Sequence, residues 1–439
     1  MMAEPLVVGL SIMLTGATIS LGLFRSVVTP VGVYAFVWAA VLLATSIHPL
    51  VGIDYIPIMP DTWALVLAAS FAYMLGCTTG GLLNLRRSRC PLSNSSALAN
   101  NRVRDIGRIL VATSVSAVGA KWFILVHTFG SVSTVLTNIG DIRLAILQGS
   151  FRFPIFTDVL VVLLFPGLVA LSTFTPPIWS RDFVWIFVGL VTLLINDLAS
   201  ASRGTSFHGL LLVVLTYMLI KYYYRQRDDI WRWLVIGGWM CLGMAFAFLA
   251  LNVIRMLREG LELTFENYIR DALFGLYLYT TGPTVACNEV LHSDVLKPYL
   301  GAYTLGGLYR IINIVSSSLL GMSVVPDIDK PYVFIPYPFN SYAYFCLVYA
   351  DLGVVGAVVV PWLMGSLACY AWGRYRARPS WGWLVANVTA FAWIVLSPRD
   401  TMTFWISFWS TLVIGWLMGI LGGRVGGRSG ERHLMMEAS

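Results

Sequence analysis

Charged side chains are scarce in this 439-residue sequence, where Asp, Glu, Lys and Arg together make up 12% against 58% hydrophobic residues. Soluble domains carry about 25% charged residues, so this shortage, with a mean hydropathy of +0.76, identifies an integral membrane protein. Cysteine is sparse too. Six are present, no pair has metal-ligand spacing, and only Cys287 falls in the long polar segment described below, which leaves it without a partner for an internal bridge. Acidic residues form no cluster suited to a divalent cation, so metal-independent chemistry without a cofactor is expected. The segment ahead of the first apolar run lacks a basic n-region, and that run is expected to stay in the membrane as a helix.

What the chain has instead is apolar length. A hydrocarbon core of roughly 30 Å takes about 20 residues of helix, and eleven windows qualify: 5–24, 29–47, 62–85, 107–128, 156–175, 183–200, 207–224, 230–251, 341–372, 382–397 and 401–422. The expected fold is an all-α polytopic membrane protein. Its net charge of +7 does not mark a nucleic-acid binder, because eighteen basic residues fall on alternate connections. They include Arg86, Arg87, Arg89, Lys221, Arg225, Arg374, Arg376 and the tail arginines Arg424, Arg428 and Arg432. The short connections of the opposite side hold only Arg143, Arg152, Arg203 and Arg399. By the positive-inside rule the N-terminus is outside and the C-terminus cytoplasmic. This divides the chain into a bundle of about eight helices (1–251), a large extracytoplasmic segment (252–340), further spans (341–423) and a basic tail (424–439).

The segment 252–340 holds most of the polar chemistry, with charges of both signs interleaved with aromatics, as in GLYLYTTGP (275–283) and PYVFIPYPFNSYAY (331–344). Such a surface suits a ligand with sugar faces and phosphates. An amphipathic helix is expected over 252–274, where Arg255, Arg258, Glu259 and Glu262 pair at helical spacing. Arg270 and Asp271 stand at its end and are of more chemical interest. The pieces 272–286 and 300–322 are broken by Gly and Pro and read as re-entrant or interfacial, with Arg310 inside the second. The tyrosines of the segment suit an interfacial aromatic belt, with stacking on sugars the alternative.

Elsewhere, Lys121 lies near the outer end of its helix, where snorkelling is the expected role. A short surface helix is expected within 134–154, its Arg143 facing either solvent or a lipid phosphate. Asn196, Asp197 and Arg203 gather at an outer boundary, facing a cavity or forming an Asp197–Arg203 pair. Arg399 and Asp400 share a tight outer turn, SPRD, with simple pairing the alternative to a role.

From Phe339 the chain reads FNSYAYFCLVYADLGVVGAVVVPWLMG. An Asn opening an outer helix, then an acidic residue, a hydrophobe and Gly-x-x-Gly entering a span, resembles the O-antigen polymerase family, the oligosaccharide repeat unit polymerases. Asn340, Asp351, Gly353 and Gly356 match, as do Ser202, Arg203 and Gly204 to a second motif closing a middle helix. Ala343 stands where the family often has Thr. Two readings of Asp351 stand, a cap on the following helix or a catalytic group, and the glycines are expected to permit close helix packing.

The resemblance implies a fold similar to the GT-C type membrane glycosyltransferases. It also implies transfer of a glycan from polyprenyl diphosphate to a sugar hydroxyl of another lipid-linked repeat unit, in O-antigen, capsule or exopolysaccharide synthesis. Donor and acceptor are both polyprenyl-diphosphate-linked oligosaccharides, the site lies outside the bacterial inner membrane, and a chain-length regulator and a flippase are the implied protein partners. Guanidinium groups bind phosphate oxygens in a bidentate manner, which makes Arg203, Arg270, Arg310 and Arg143 the candidates for the diphosphate. Asp271, Glu289, Asp197 and His292 are the candidates for a base toward the acceptor hydroxyl. The alternatives are an O-antigen ligase, disfavoured because Phe339 and Asn340 stand where that family has His, and a lipid-linked sugar transporter, which would show repeated halves.

Overall fold

The computed structural model describes residues 3–85, 101–148, 150–173, 181–200, 204–225, 252–253, 256, 264–293, 301–320, 330–377 and 379–437. It is an all-α membrane protein. Among the described residues, six helical stretches, Ile155–Ser172 one of them, are long and apolar enough to cross a bilayer, and four shorter apolar helices, Pro30–Ser46, Gly204–Ile220, Trp381–Leu396 and Ile406–Leu421, accompany them. These ten match ten of the eleven windows; the window 230–251 lies outside the described residues, as do Arg203, Arg255 and Arg258.

The chain forms two compact units. The first comprises Met1–Leu92, Phe274–Arg378 and Thr389–Trp409; the second comprises Ser93–Leu273, Pro379–Val388 and Ser410–Ser439.

In the first unit, α1 (Ala3–Phe24), α2 (Pro30–Ser46) and α3 (Pro60–Leu85) pack in sequence. Thr29 caps α2 by accepting from Gly32 N, with Pro30 supplying the preset first turn. Helix α3 lies along a later helix, Tyr344–Ala377, labelled α13 below, and glycine is the reason. Gly76 and Gly80 form a G-x-x-x-G stripe whose absent Cβ atoms would come within 2.0 Å of Trp362 O and 2.2 Å of Ser366 O, so the two backbones touch. Asn84 then donates to the carbonyls of Cys369 and Tyr370. Beside this contact lies an aromatic core. Tyr34 stacks on Tyr73 at 4.1 Å, Tyr73 on Trp393 at 5.7 Å, and the Tyr34 hydroxyl meets Ser70 and Tyr344 at 3.1 Å each. The buried Tyr34 and Tyr344 rings thus bring their polar tips together, while the Tyr73 hydroxyl is buried without a hydrogen bond among the described residues.

The second unit is built on α4 (Asn101–Phe129). Short helices α5 (Val132–Thr137) and α6 (Ile139–Leu147) follow, so a short helix does form within 134–154. Then come α7 (Ile155–Val162), α8 (Leu164–Ser172), α9 (Arg181–Ala199) and α10 (Gly204–Arg225), with α4 packed on α7, α8 and α9. Arg108 pairs with Asp182 at 2.6 Å, fixing the first turns of α4 and α9 together.

Helix α11 (Phe265–Ser293) begins in the second unit and ends in the first. It runs unbroken through Pro283, correcting the expectation of an interrupted segment over 272–286. Helix α12 (Gly306–Leu320) and a two-stranded hairpin, β1 (Val333–Phe334) with β2 (Pro338–Phe339), lead to α13 (Tyr344–Ala377). The chain closes with α14 (Trp381–Leu396) and α15 (Ile406–Glu437). Within α13, Gly353 has φ 64 and ψ −160, a conformation open almost solely to glycine, and it breaks the helix in two. Nothing lies within 4 Å of a Cβ built on Gly353, and one on Gly356 would meet Leu352 of its own helix. The Gly-x-x-Gly therefore serves a break in α13 and not the close packing of neighbouring helices.

Candidate functional site

One end of the first unit gathers residues from distant parts of the sequence. Tyr277 on α11 donates to Ala44 O at the end of α2, and Ala343 N donates to Pro283 O. Tyr344 N donates to Ser397 O, which brings the α14–α15 turn alongside the start of α13. Asn288 accepts from Met59 N at 2.8 Å and Thr62 Oγ1 at 3.0 Å, docking the loop before α3 against α11.

Lys330 sits at the centre of this end, its side chain 9% exposed, and its ammonium is paired with Asp400. Asp400 also accepts from Thr401 N and from the Trp405 indole at 3.3 Å. Burial pushes the Lys330 pKa down. Asp400 opposes that shift, while Arg310 and Arg399 lie close enough to add to it. The Arg399 guanidinium lies over the Tyr279 ring, 5.1 Å from its centroid, and has no carboxylate partner among the described residues. Arg310, on α12, is half-buried. Cationic side chains from three separate segments thus lie near one another, with Lys330 held by Asp400. The expected Arg399–Asp400 pair within one turn is corrected, since Asp400 reaches Lys330, 70 residues earlier.

Aromatic rings flank the cations. Tyr279, beneath Arg399, packs on Phe339 of the hairpin at 5.5 Å, and Tyr337 meets Phe274 at 5.1 Å. The hairpin leaves Tyr332, Phe334 and Tyr337 open, at 66%, 65% and 43% exposure. Ring faces of this kind suit the apolar faces of sugars, and the neighbouring guanidinium and ammonium groups suit phosphate oxygens.

Asp351 is buried and accepts from Tyr303 N at 3.2 Å and Thr304 N at 2.5 Å. It holds the 301–304 turn that enters α12, the helix bearing Arg310, and does not cap the helix that follows it. Half-buried Asn340 joins the hairpin to α13 and makes no hydrogen bond among the described residues. His292 bonds back to Asn288 O at 2.7 Å on the exposed last turn of α11, with half-buried Glu289 one turn before it. No described interaction links either of them to the Lys330 group.

The second unit holds the other candidates. Asp197 is fully buried and accepts from Thr205 Oγ1 at 2.5 Å and Ser206 N at 2.8 Å, so it caps α10. Arg203, its expected partner, lies outside the described residues. Arg143 donates to Ser200 O at 3.2 Å, tying α6 to the end of α9. Exposed Arg270 donates to Asn267 at 3.0 Å, and Asp271 accepts from Asn252 at 3.0 Å. Lys121 does not snorkel: it is 3% exposed and meets Asp158 at 2.5 Å, Asn196 at 3.0 Å and the Phe153 ring at 5.0 Å.

Sequence reasoning thus reached Arg310 but passed over Lys330, Arg399 and Asp400 as site residues. The signal that would have found them was positional, because Arg399 and Asp400 are the charged residues of a short connection between two apolar windows. Among the described residues no group of three or more His, Cys, Asp or Glu side chains is placed to hold a metal. No family model, curated protein or solved structure matches the chain.

Proposed function

We propose that this protein is a membrane glycosyltransferase that polymerises oligosaccharide repeat units. It would transfer a growing glycan from polyprenyl diphosphate to a sugar hydroxyl of a second lipid-linked repeat unit, outside the bacterial inner membrane. The observation that carries this reading is the convergence of Arg310, Lys330 and Arg399 beside an open aromatic hairpin. The motif from Asn340 to Gly356 supports it. In this reading 230–251 supplies an eleventh span, the architecture is of the GT-C type, and a flippase and a chain-length regulator are the protein partners.

The chemistry follows from where charge develops. As the bond from the anomeric carbon to the diphosphate oxygen breaks, the sugar becomes oxocarbenium-like and the diphosphate gains negative charge. Arg399 and Arg310 offer forked donors to those oxygens and Lys330 a point charge, fixed before the reaction by burial, the Tyr279 ring and Asp400. Tyr332, Phe334 and Tyr337 would hold sugar rings on the neighbouring hairpin. Asp197 is occupied in capping α10 and Asp400 in holding Lys330. Glu289 and His292 are therefore the base candidates of the first unit.

The test follows surface glycan on a gel in a strain lacking this gene, complemented with the native chain or with Arg399→Ala at equal membrane levels. A ladder of many repeats from the native chain and single repeats from the variant is the expected result. If single repeats fail to reach lipid A core without the gene, while polymer accumulates on its lipid carrier, the activity is that of a ligase.

A further inference from the structure

Cys287 belongs to α11, and Cys346 to the first turn of α13. The sequence suggests no relation between them, since one falls in the long polar segment and the other in an apolar run. In the fold they are brought close. Ala343 N, just before α13, donates to Pro283 O on α11, one turn before each cysteine, and the two thiols lie within electrostatic reach of one another. Tyr342 lies near both sulfurs. Both residues are 0% exposed, and both are free thiols here. The segment between them carries α12 with Arg310, then Lys330 and the hairpin, so a link at this point would fix both ends of the stretch that supplies most of the proposed site.

We propose that Cys287 and Cys346 are oxidised to a disulfide in the cell, stapling α11 to α13 at the base of the proposed site. The inference rests on the reading above in one respect, that this end of the first unit lies outside the cytoplasm, where disulfides persist. In the step, both S–H bonds break and one S–S bond forms. Two protons and two electrons leave, and the disulfide of an extracytoplasmic thiol oxidase accepts them to become a dithiol. Because the thiols are buried in the folded chain, the exchange belongs to the period of insertion, before α13 closes over α11. Cys77 and Cys369 supply an internal contrast. They also lie close together, across α3 and α13, but deep within apolar spans that a soluble oxidase does not reach, whereas Cys346 stands in the first turn of its span.

The experiment isolates membranes containing the full chain, alkylates them at once with excess N-ethylmaleimide in denaturant without reductant, digests the protein, and maps the cysteines by mass spectrometry. The expected result is a peptide joining Cys287 to Cys346, with Cys77 and Cys369 alkylated. In Cys287→Ser the joined peptide disappears and Cys346 becomes alkylated. Alkylation of both Cys287 and Cys346 in the native chain overturns the proposal, and treating sealed membranes with copper phenanthroline then shows which premise failed. A bridge formed only under that added oxidant means that the neighbourhood is right and the compartment wrong. No bridge even then means that the two sulfurs do not meet. Either result leaves the polymerase reading to the glycan ladder, which does not depend on it.

Discussion

Two buried lysines, one in each unit, keep opposite company. Lys121 is surrounded by complements: a carboxylate from Asp158, an amide oxygen from Asn196 and the face of Phe153. Lys330 has Asp400, yet burial, with Arg310 and Arg399 in the same neighbourhood, lowers its pKa. A buried charge matched on every side holds helices together and needs nothing more. In the proposed reading, an anion bound among the three cations would offset their mutual repulsion.

Removing each charge separates the two regimes most sharply. Arg399→Ala should lower polymer output about 100-fold or more at unchanged membrane level, the scale of losing one donor to developing charge. Lys121→Ala should instead destabilise the protein by about 1–3 kcal/mol, because Asp158 is half solvated, and leave output per folded molecule intact. Pulse labelling with quantitation of the membrane-bound chain distinguishes these outcomes. Equal specific losses would erase the contrast.

The Lys330–Asp400 pair refines it. Lys330→Ala alone leaves a carboxylate buried at 13% exposure without its cation, which should cost about 3–5 kcal/mol. Lys330→Ala with Asp400→Ala should restore most of the folded level without restoring polymerisation. Recovery of activity in the double variant would make the pair structural, like that of Lys121.

Smaller effects test the backbone around the site. Gly353→Ala places a side chain in a strained conformation and should cost about 1–3 kcal/mol. Asp197→Ala, which removes the cap of α10, should cost about 1–2 kcal/mol in the second unit. Thermal denaturation in detergent measures both. If only Gly353→Ala lowers specific output, the site belongs to the first unit.

The mildest lever is pH. Lys330 holds its proton less tightly folded than unfolded, so the unfolded chain binds more protons between the two pKa values. Stability should therefore rise with pH through the window that ends near the unfolded lysine value, about 10.4. Lys330→Met should flatten that rise, as read from melting temperatures across the alkaline range.

Much of the fold was legible because apolar length is a local property: ten windows reappear as apolar helical stretches, one of them as the pair α7 and α8. The short helix carrying Arg143 followed from its periodicity in the same way. Pro283 misled, because proline usually breaks a helix, whereas buried neighbours on both sides keep α11 continuous. The glycines of the 353–356 motif were read for close packing. A G-x-x-x-G stripe at Gly76 and Gly80 carries that role, and it can be recognised only against Trp362 and Ser366 on another helix. Pairings across the chain were hidden for the same reason. Lys330 with Asp400, Asp351 with the 303–304 amides, and Cys287 with Cys346 each join segments that no periodicity relates.

The central claim is that Arg310, Lys330 and Arg399 hold a diphosphate, and direct binding tests it best. Purified protein would be titrated with a short-chain polyprenyl diphosphate and with the corresponding alcohol, comparing the native chain with Arg399→Ala and with Lys121→Met. Saturable binding of the diphosphate but not the alcohol, weakened at least about tenfold by Arg399→Ala and unchanged in Lys121→Met, is the predicted result; a tenfold loss corresponds to about 1.4 kcal/mol. Equal affinity in the native chain and Arg399→Ala would contradict the assignment of the diphosphate to this cluster.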